Sequence, residues 1–425
     1  MFDIYDIYAS HPLAGPYTVR QTALSVARYH FIEAQMMRIA AGKLASLPEW
    51  EVKCLLGRHL WQDSLHADLL LHRLRDLRWP RTAPLHPGKA RLDLMALLDT
   101  APTTTAYLLA IYQIVKPRLI AAYAAHSAAL SLADEPTVLL LRQILVDEQQ
   151  QCWEGVALLE SLPDRGDQDQ ISRWQRSVDD AYTGGGGFAP RGDAAPREVA
   201  SHFEGQPTQP APAVAARDAR FRWEEAGSHT AAKDAADAAK LIAHRDADNE
   251  MHAAEVLGRN IYEQPEMPWE YHLDLARQCW DEVRHAVLYQ KYLEAAGGRL
   301  GDYPITDGNY AYRMALDFPH RLYDLHLRGE RFGMRDLLRY REQAKADGDR
   351  RYALLNDFIH ADEVPHVKTG RWLRWLLKED DAAYAWVERE TMQPRAPAGD
   401  PLLQRYTGLS RSVITEEKGT ATANG

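Results

Sequence analysis

The pattern Asp281-Glu282-Val283-Arg284-His285 returns later in the chain as Asp362-Glu363-Val364-Pro365-His366. Both copies lie where apolar residues recur every three or four positions, the signature of amphipathic helix. On a helix, positions i and i+3 stand nearly one above the other, so each Glu and its His can aim at one point. With 17 His in 425 residues, a given Glu meets a His at +3 in about 4% of cases. One copy therefore says little. Two copies, each preceded by Asp and followed by Val, demand two helices whose inward faces meet.

Helical bundles that hold two metals draw one further carboxylate from each of two more helices, at the same depth. The segment Gln264-Pro265-Glu266-Met267-Pro268 turns the first helical pair and Ala346-Asp347-Gly348-Asp349 turns the second. Reflecting Glu282 through the first turn lands on Glu250. Reflecting Glu363 through the second lands beside residue 331, where Glu330 stands, and the two separations agree at 32 and 33 residues. Each acid interrupts an apolar stripe, and a buried unpaired carboxylate costs on the order of several kcal/mol. The spacing thus predicts Glu250, Glu282, His285, Glu330, Glu363 and His366 as metal ligands. Asp281 and Asp362 are expected to take the second ring N–H of the His on the opposing helix, which fixes a ligating imidazole. Gly329 and Gly333 also fit a different reading, a loop in which Glu330 is an exposed acid. Glu255, Glu263, Glu266 and His252 read as solvated positions, Tyr289 as core, and Pro365 as a kink in its helix.

Almost no alternating strand pattern appears, so the fold class is all-α. Residues 10–162 and 230–395 read as two helical bundles, 163–229 as a Pro/Gly-rich linker and 396–425 as a loose tail. Within the linker, Ile171-Trp174-Val178-Tyr182 is a short amphipathic piece expected to dock on a neighbour. Hydrophobic residues at 46% and charged residues at 26% are those of a globular chain. No run reaches the roughly 18 apolar residues of a membrane helix, and the N-terminus has no secretory pattern, so the expectation is a cytoplasmic protein with no membrane partner. A net charge of −10 argues against a broad nucleic-acid surface. The three cysteines, Cys54, Cys152 and Cys279, give neither a disulfide framework nor a thiolate site. The Gly184–Gly187 run lacks the rest of a phosphate loop, and Arg191-Gly192-Asp193 reads as chance.

The first bundle reads as a decayed copy of the second. Trp61-Gln62-Asp63-Ser64-Leu65-His66-Ala67-Asp68-Leu69 aligns with Trp280 to Leu288, Glu33 with Glu250, and Asp147-Glu148 with Asp362-Glu363. Gln151 stands where the second bundle has His366, and the Glu330 position falls at Val115 beside Lys116. Two readings remain open. In the favoured one Lys116 supplies the positive charge that a metal once did, pairing with Glu33, Asp63 or Glu148. In the other a single weakly held metal survives.

At these residues the chain resembles the ferritin-like di-iron carboxylate proteins, and Asp281-Glu282-x-Arg284-His285 is similar to the Asp-Glu-x-Arg-His box of their oxygenase members. More narrowly, it resembles a family of uncharacterised bacterial ferritin-like proteins with His-x-Glu-x-Gln-Ala-x-Glu on the first helix. Here that stretch runs from Asp248 to Glu255, with Asp248 and His252 in place of the His and Gln. The resemblance covers about residues 240–375. It implies a four-helix bundle, two iron ions (or Mn, or Mn/Fe) on the six ligands, O2 as co-substrate and a reductase or ferredoxin as electron donor. The expected activity is oxidation or oxygenation of a small organic molecule, with the same six residues catalytic, on a chain that can form a homodimer. Two alternatives stand beside it: a peroxide-handling or non-catalytic metal-binding protein, and a tRNA-modifying hydroxylase using the basic cluster Arg371, Arg374 and Lys378.

Overall fold

The computed structural model describes residues 11–79, 89–129, 131–162, 167–184, 186–188, 209–224, 230–306 and 308–392. The tail 396–425 and Arg191-Gly192-Asp193 lie outside the described residues. Among the described residues the chain is all-helical, and its sole β-type pairing is an isolated bridge between Trp223 and Ile305.

The chain divides into two compact units. The first comprises Met1–Leu47, Glu51–Pro210 and Ile261–Ala276; the second comprises Pro48–Trp50, Ala211–Asn260 and Arg277–Gly425. In the order of the chain, the early helices are α1 (Val19–Lys43), α2 (Trp50–Asp76), α3 (Lys89–Asp99), α4 (Thr104–Leu109), α5 (Lys116–Ala128), α6 (Glu135–Ser161) and α7 (Gln168–Gly184). A capping box starts α1: the Thr18 hydroxyl accepts from the Gln21 N–H, and the Gln21 side chain accepts from the Thr18 N–H. Helix α7 occupies part of the segment that composition marks as linker, and Ile171 and Val178 are buried on it. Residues Thr104–Ala128 are long and apolar enough to cross a membrane by length and composition. Their apolar side chains are nevertheless core: Tyr107, Leu108, Tyr112, Val115, Leu119 and Tyr123 are all buried.

The later helices are α8 (Ala235–Glu263), α9 (Trp269–Ala295), α10 (Gly308–Met314), α11 (Phe318–Leu322), α12 (Glu330–Ala346), α13 (Arg350–Thr369), α14 (Arg371–Leu376) and α15 (Asp381–Met392). Helix α8 ends and α9 begins on either side of the Pro265/Pro268 turn. The α12–α13 turn holds Gly348 at φ +74°, a conformation that glycine adopts without strain. Asp349 then caps α13 by accepting from the Tyr352 N–H at 2.9 Å. Helix α13 runs through Pro365, whose carbonyl accepts from the Thr369 hydroxyl at 3.2 Å.

Two π-helical turns interrupt these helices, Ala110–Val115 before α5 and Tyr323–Gly329 before α12. The N–H that closes each belongs to the next residue: Lys116 bonds the Ile111 carbonyl and Glu330 bonds the Leu325 carbonyl. Such turns are rare and concentrate at functional sites. Here each one delivers the residue at the same position of the two aligned halves.

The segment before α8 is also more than a tether. Arg217 is buried and its guanidinium donates to Asp248 Oδ1 at 2.8 Å and to Glu255 Oε1 at 2.5 Å. The expectation that Glu255 and His252 face solvent is therefore wrong: both are buried. Their neighbours on the apolar side of α8 gave no warning, because the countercharge for Glu255 comes from a segment whose composition reads as linker. Glu266, by contrast, is exposed.

Candidate metal centre

Four helical elements of the second unit each deliver a carboxylate to one place. Glu250 comes from α8, Glu282 with His285 from α9, Glu330 from the first residue of α12, and Glu363 with His366 from α13. The α9 and α13 pairs use the i,i+3 spacing that stacks side chains along one helical face. Glu330 is not in a loop: the π turn carries the chain across Gly329 without leaving helix.

The six side chains separate into two overlapping groups. Glu250, Glu282 and His285 form one; Glu282, Glu330, Glu363 and His366 form the other, with ligand atoms in each lying within 4.8 Å of one another. His285 Nδ1 lies 3.4 Å from Glu282 Oε2, 3.6 Å from Glu363 Oε1 and 4.0 Å from Glu250 Oε2. His366 Nδ1 lies 3.3 Å from Glu282 Oε1 and 2.9 Å from Glu363 Oε2. Glu282 and Glu363 therefore offer one oxygen to each imidazole, while Glu250 and Glu330 sit at opposite ends. Such a set suits two cations, with the middle carboxylates shared.

The other nitrogen of each ring is held from outside. His285 Nε2 faces Asp362 Oδ2 at 3.2 Å and His366 Nε2 faces Asp281 Oδ2 at 3.4 Å, each Asp belonging to the opposing helix. Arg284 ties the two aspartates together, donating from Nη2 at 2.6 Å to Asp281 Oδ1 and at 2.6 Å to Asp362 Oδ2. Arg277 adds a bond from Nε to Asp281 Oδ2 at 2.8 Å. These contacts hold the Asp281 carboxyl below the usual carboxylate range, against a desolvation that pushes the other way. Both aspartates stay ionised as acceptors, which leaves each ring to present Nδ1 to the cluster.

The inner acids bear the cost of this arrangement. Burial, followed by the charges of Glu282 and Glu363, raises the Glu250 carboxyl well above its usual range. Burial and Glu282 push Glu330 up to about 7, and burial with Glu330 and Glu282 raises Glu363. His285 Nδ1 is buried and has no hydrogen-bond partner. Four carboxylates and an unpartnered imidazole nitrogen match two divalent cations in charge and in donor type: carboxylate oxygen and imidazole nitrogen suit iron, manganese and zinc. The residues present thus fit a dinuclear metal site.

Two participants gave no clear sequence signal. Gln278, one turn before Glu282, is buried and donates from Nε2 to Glu282 Oε1 at 3.1 Å and to Glu330 Oε1 at 2.9 Å. Its i−4 position on the ligand-bearing face was the only clue. His326, one turn before Glu330, is fully buried; burial and the neighbouring His366 push it down to about 3, so it is neutral. Tyr289 is buried core, as its position one turn beyond His285 suggested. An open groove of ≈ 420 Å³ in this unit is lined by Arg284, Leu288, Tyr292, Leu355 and Phe358 among others. Arg284 thus lines the groove and also holds both aspartates.

In the first unit the corresponding residues also converge. Lys116 Nζ donates to Asp63 Oδ1 at 2.9 Å and to Glu148 Oε1 at 2.7 Å, all three buried. Gln151 Nε2 donates to Asp63 Oδ1 at 3.0 Å. Glu33 is not bonded to Lys116; its Oε1 accepts from the Tyr123 hydroxyl at 2.6 Å.

Residues 191–396 match the family described as "Protein of unknown function (DUF455)". No curated protein and no solved structure matches the chain.

Proposed function

We propose that the second unit is a ferritin-like bundle holding a dinuclear iron or manganese centre, and that the chain uses it to oxidise or oxygenate a small organic molecule with O2. The observation that carries this reading is the crossed geometry of the site. Glu282 and Glu363 sit between two imidazoles, a terminal carboxylate stands at each end, and each imidazole is oriented by the opposing helix's aspartate. Glu250, Glu282, His285, Glu330, Glu363 and His366 would hold the ions, which would supply the one-electron chemistry with O2 that side chains lack. The chain's own residues do the rest. Glu282 and Glu363 each turn one oxygen toward each imidazole, and the aspartates keep both rings turned inward. Ala247, Cys279 and Ile359, one turn from Glu250, Glu282 and Glu363 on the same helices, are buried and keep water from the site.

A small organic substrate is favoured over storage by the groove on the α9–α13 side. Its lining pairs apolar side chains with Arg284, Lys291 and Arg351, which suits a small molecule bearing an anionic group. Electrons would come from a reductase or ferredoxin. The test is O2 uptake by the iron-loaded, reduced protein. The proposal expects uptake that accelerates with particular small organic acids and disappears in Glu363→Ala. Uptake that no organic compound alters would leave a peroxide-handling or metal-binding protein.

A further inference from the structure

The decayed half of the repeat keeps more than a salt bridge. Position by position, Glu33, Asp63, His66 and Glu148 correspond to Glu250, Glu282, His285 and Glu363, one complete end of the dinuclear set. Only the other end is altered, with Lys116 at the Glu330 position and Gln151 at the His366 position. The geometry follows the alignment closely. His66 Nδ1 lies 3.6 Å from Glu33 Oε2 and 3.5 Å from Glu148 Oε1. The matching distances from His285 Nδ1 are 4.0 Å to Glu250 Oε2 and 3.6 Å to Glu363 Oε1. Even the outer support is kept: His66 Nε2 faces Asp147 Oδ2 at 3.3 Å, as His285 Nε2 faces Asp362 Oδ2 at 3.2 Å.

Lys116 accounts for half of this cluster. Its ammonium lies against Asp63 and Glu148, where the second cation of a pair would sit. It leaves the other half unserved. Glu33 Oε2, His66 Nδ1 and Glu148 Oε2 are buried and have no hydrogen-bond partner, and the three side chains bearing them are almost wholly excluded from solvent. Three buried carboxylates share one ammonium in a dry interior, so countercharge beyond Lys116, from a cation or from protons, must be supplied there. The four residues lie within ligand distance of one another.

We infer that the first unit binds a single divalent cation of the manganese, iron or zinc class on Glu33, Asp63, His66 and Glu148, with the Lys116 ammonium in place of a second ion. The donor set of three carboxylates and one imidazole is that of a hard-to-borderline metal. Such an ion pins α1, α2 and α6 together at mid-depth, and its neighbour cannot be a second metal because Lys116 fills that place. The site is therefore built for structure and not for two-metal chemistry. This inference is independent of what the second unit does.

The experiment uses the full chain carrying Glu282→Ala and Glu363→Ala, which takes a carboxylate from both ligand groups of the second unit and leaves the first unit untouched, with Mn(II) as the probe. Metal is counted after equilibrium dialysis. About one Mn per chain is expected, falling to background when Glu33→Gln or His66→Ala is added while the circular dichroism stays helical. No Mn above background in the folded double variant overturns the inference, as does an Mn count indifferent to Glu33→Gln. If the double variant does not fold, the same question is put to the otherwise native chain. There Glu33→Gln lowers the saturated count by about one, and an unchanged count overturns the inference.

Discussion

His285 turns its Nε2 to Asp362 at 3.2 Å and its Nδ1 to Glu282 at 3.4 Å, so one ring is held by the opposing helix while it faces the acids of its own. The same arrangement runs the other way from His366 to Asp281. Replacing Asp362 or Asp281 by Asn keeps the shape and removes the charge that fixes the tautomer. Metal affinity is then expected to fall by roughly 10–100-fold, the usual cost of losing such a partner. Competition with a fluorescent chelator measures it; unchanged affinity would show that the rings need no outside hold.

Removing a ligand should do more. Glu363 faces both imidazoles, so Glu363→Ala takes a carboxylate from both, and His366→Ala removes the imidazole that faces Glu282 and Glu363 from α13. Either change is expected to abolish dinuclear loading, read by metal analysis of the purified chain.

Metal uptake should depend on pH in a defined direction. In the metal-free protein Glu330 is raised to about 7 by burial and by Glu282. A carboxyl with a raised pKa keeps its proton below that pKa and must lose it to coordinate. Affinity is therefore expected to weaken as pH falls through about 7 and to strengthen above it, with protons released on binding. Calorimetry in buffers of different ionisation heat reads the proton count directly. Equal proton release at about pH 6 and about pH 8 would contradict this.

Arg217 is the countercharge for Asp248 and Glu255 within the second unit. Arg217→Met breaks a buried ion pair and strands its partners, and the expected loss is about 3–5 kcal/mol of stability. Denaturant unfolding of the variant measures it. A change within about 0.5 kcal/mol, the usual effect of a surface substitution, would mean that the pair is not buried in solution.

The features legible in sequence are those encoded by local spacing. Glu282-x-x-His285 and Glu363-x-x-His366 declare a helical face. The prolines at 265 and 268 and the glycine at 348 mark the turns through which Glu250 and Glu330 were located. The crossed aspartates followed from the needs of a ligating imidazole. What stayed hidden depends on partners distant in the chain. Arg217 sits in a stretch that composition reads as linker, so neither its burial nor that of Glu255 could be seen. Gln278 became a participant only once Glu330 lay opposite it. The π turns have no periodicity signal of their own: an extra residue in one turn resembles ordinary drift of an apolar stripe. In the first unit Lys116 was expected to pair with Glu33, Asp63 or Glu148; it pairs with the last two, while Glu33 bonds Tyr123, and the three unpartnered atoms beside it left no mark in the sequence.

The central claim is that Glu282 and Glu363 hold two metal ions between His285 and His366. Anomalous diffraction from Mn-loaded crystals of the Glu33→Gln chain, in which the first unit is silenced, tests it directly. Two peaks about 3.5–4 Å apart, the spacing of two-metal sites, are expected, flanked by Glu250 on one side and Glu330 on the other. A single peak, or none, among these six side chains would contradict it.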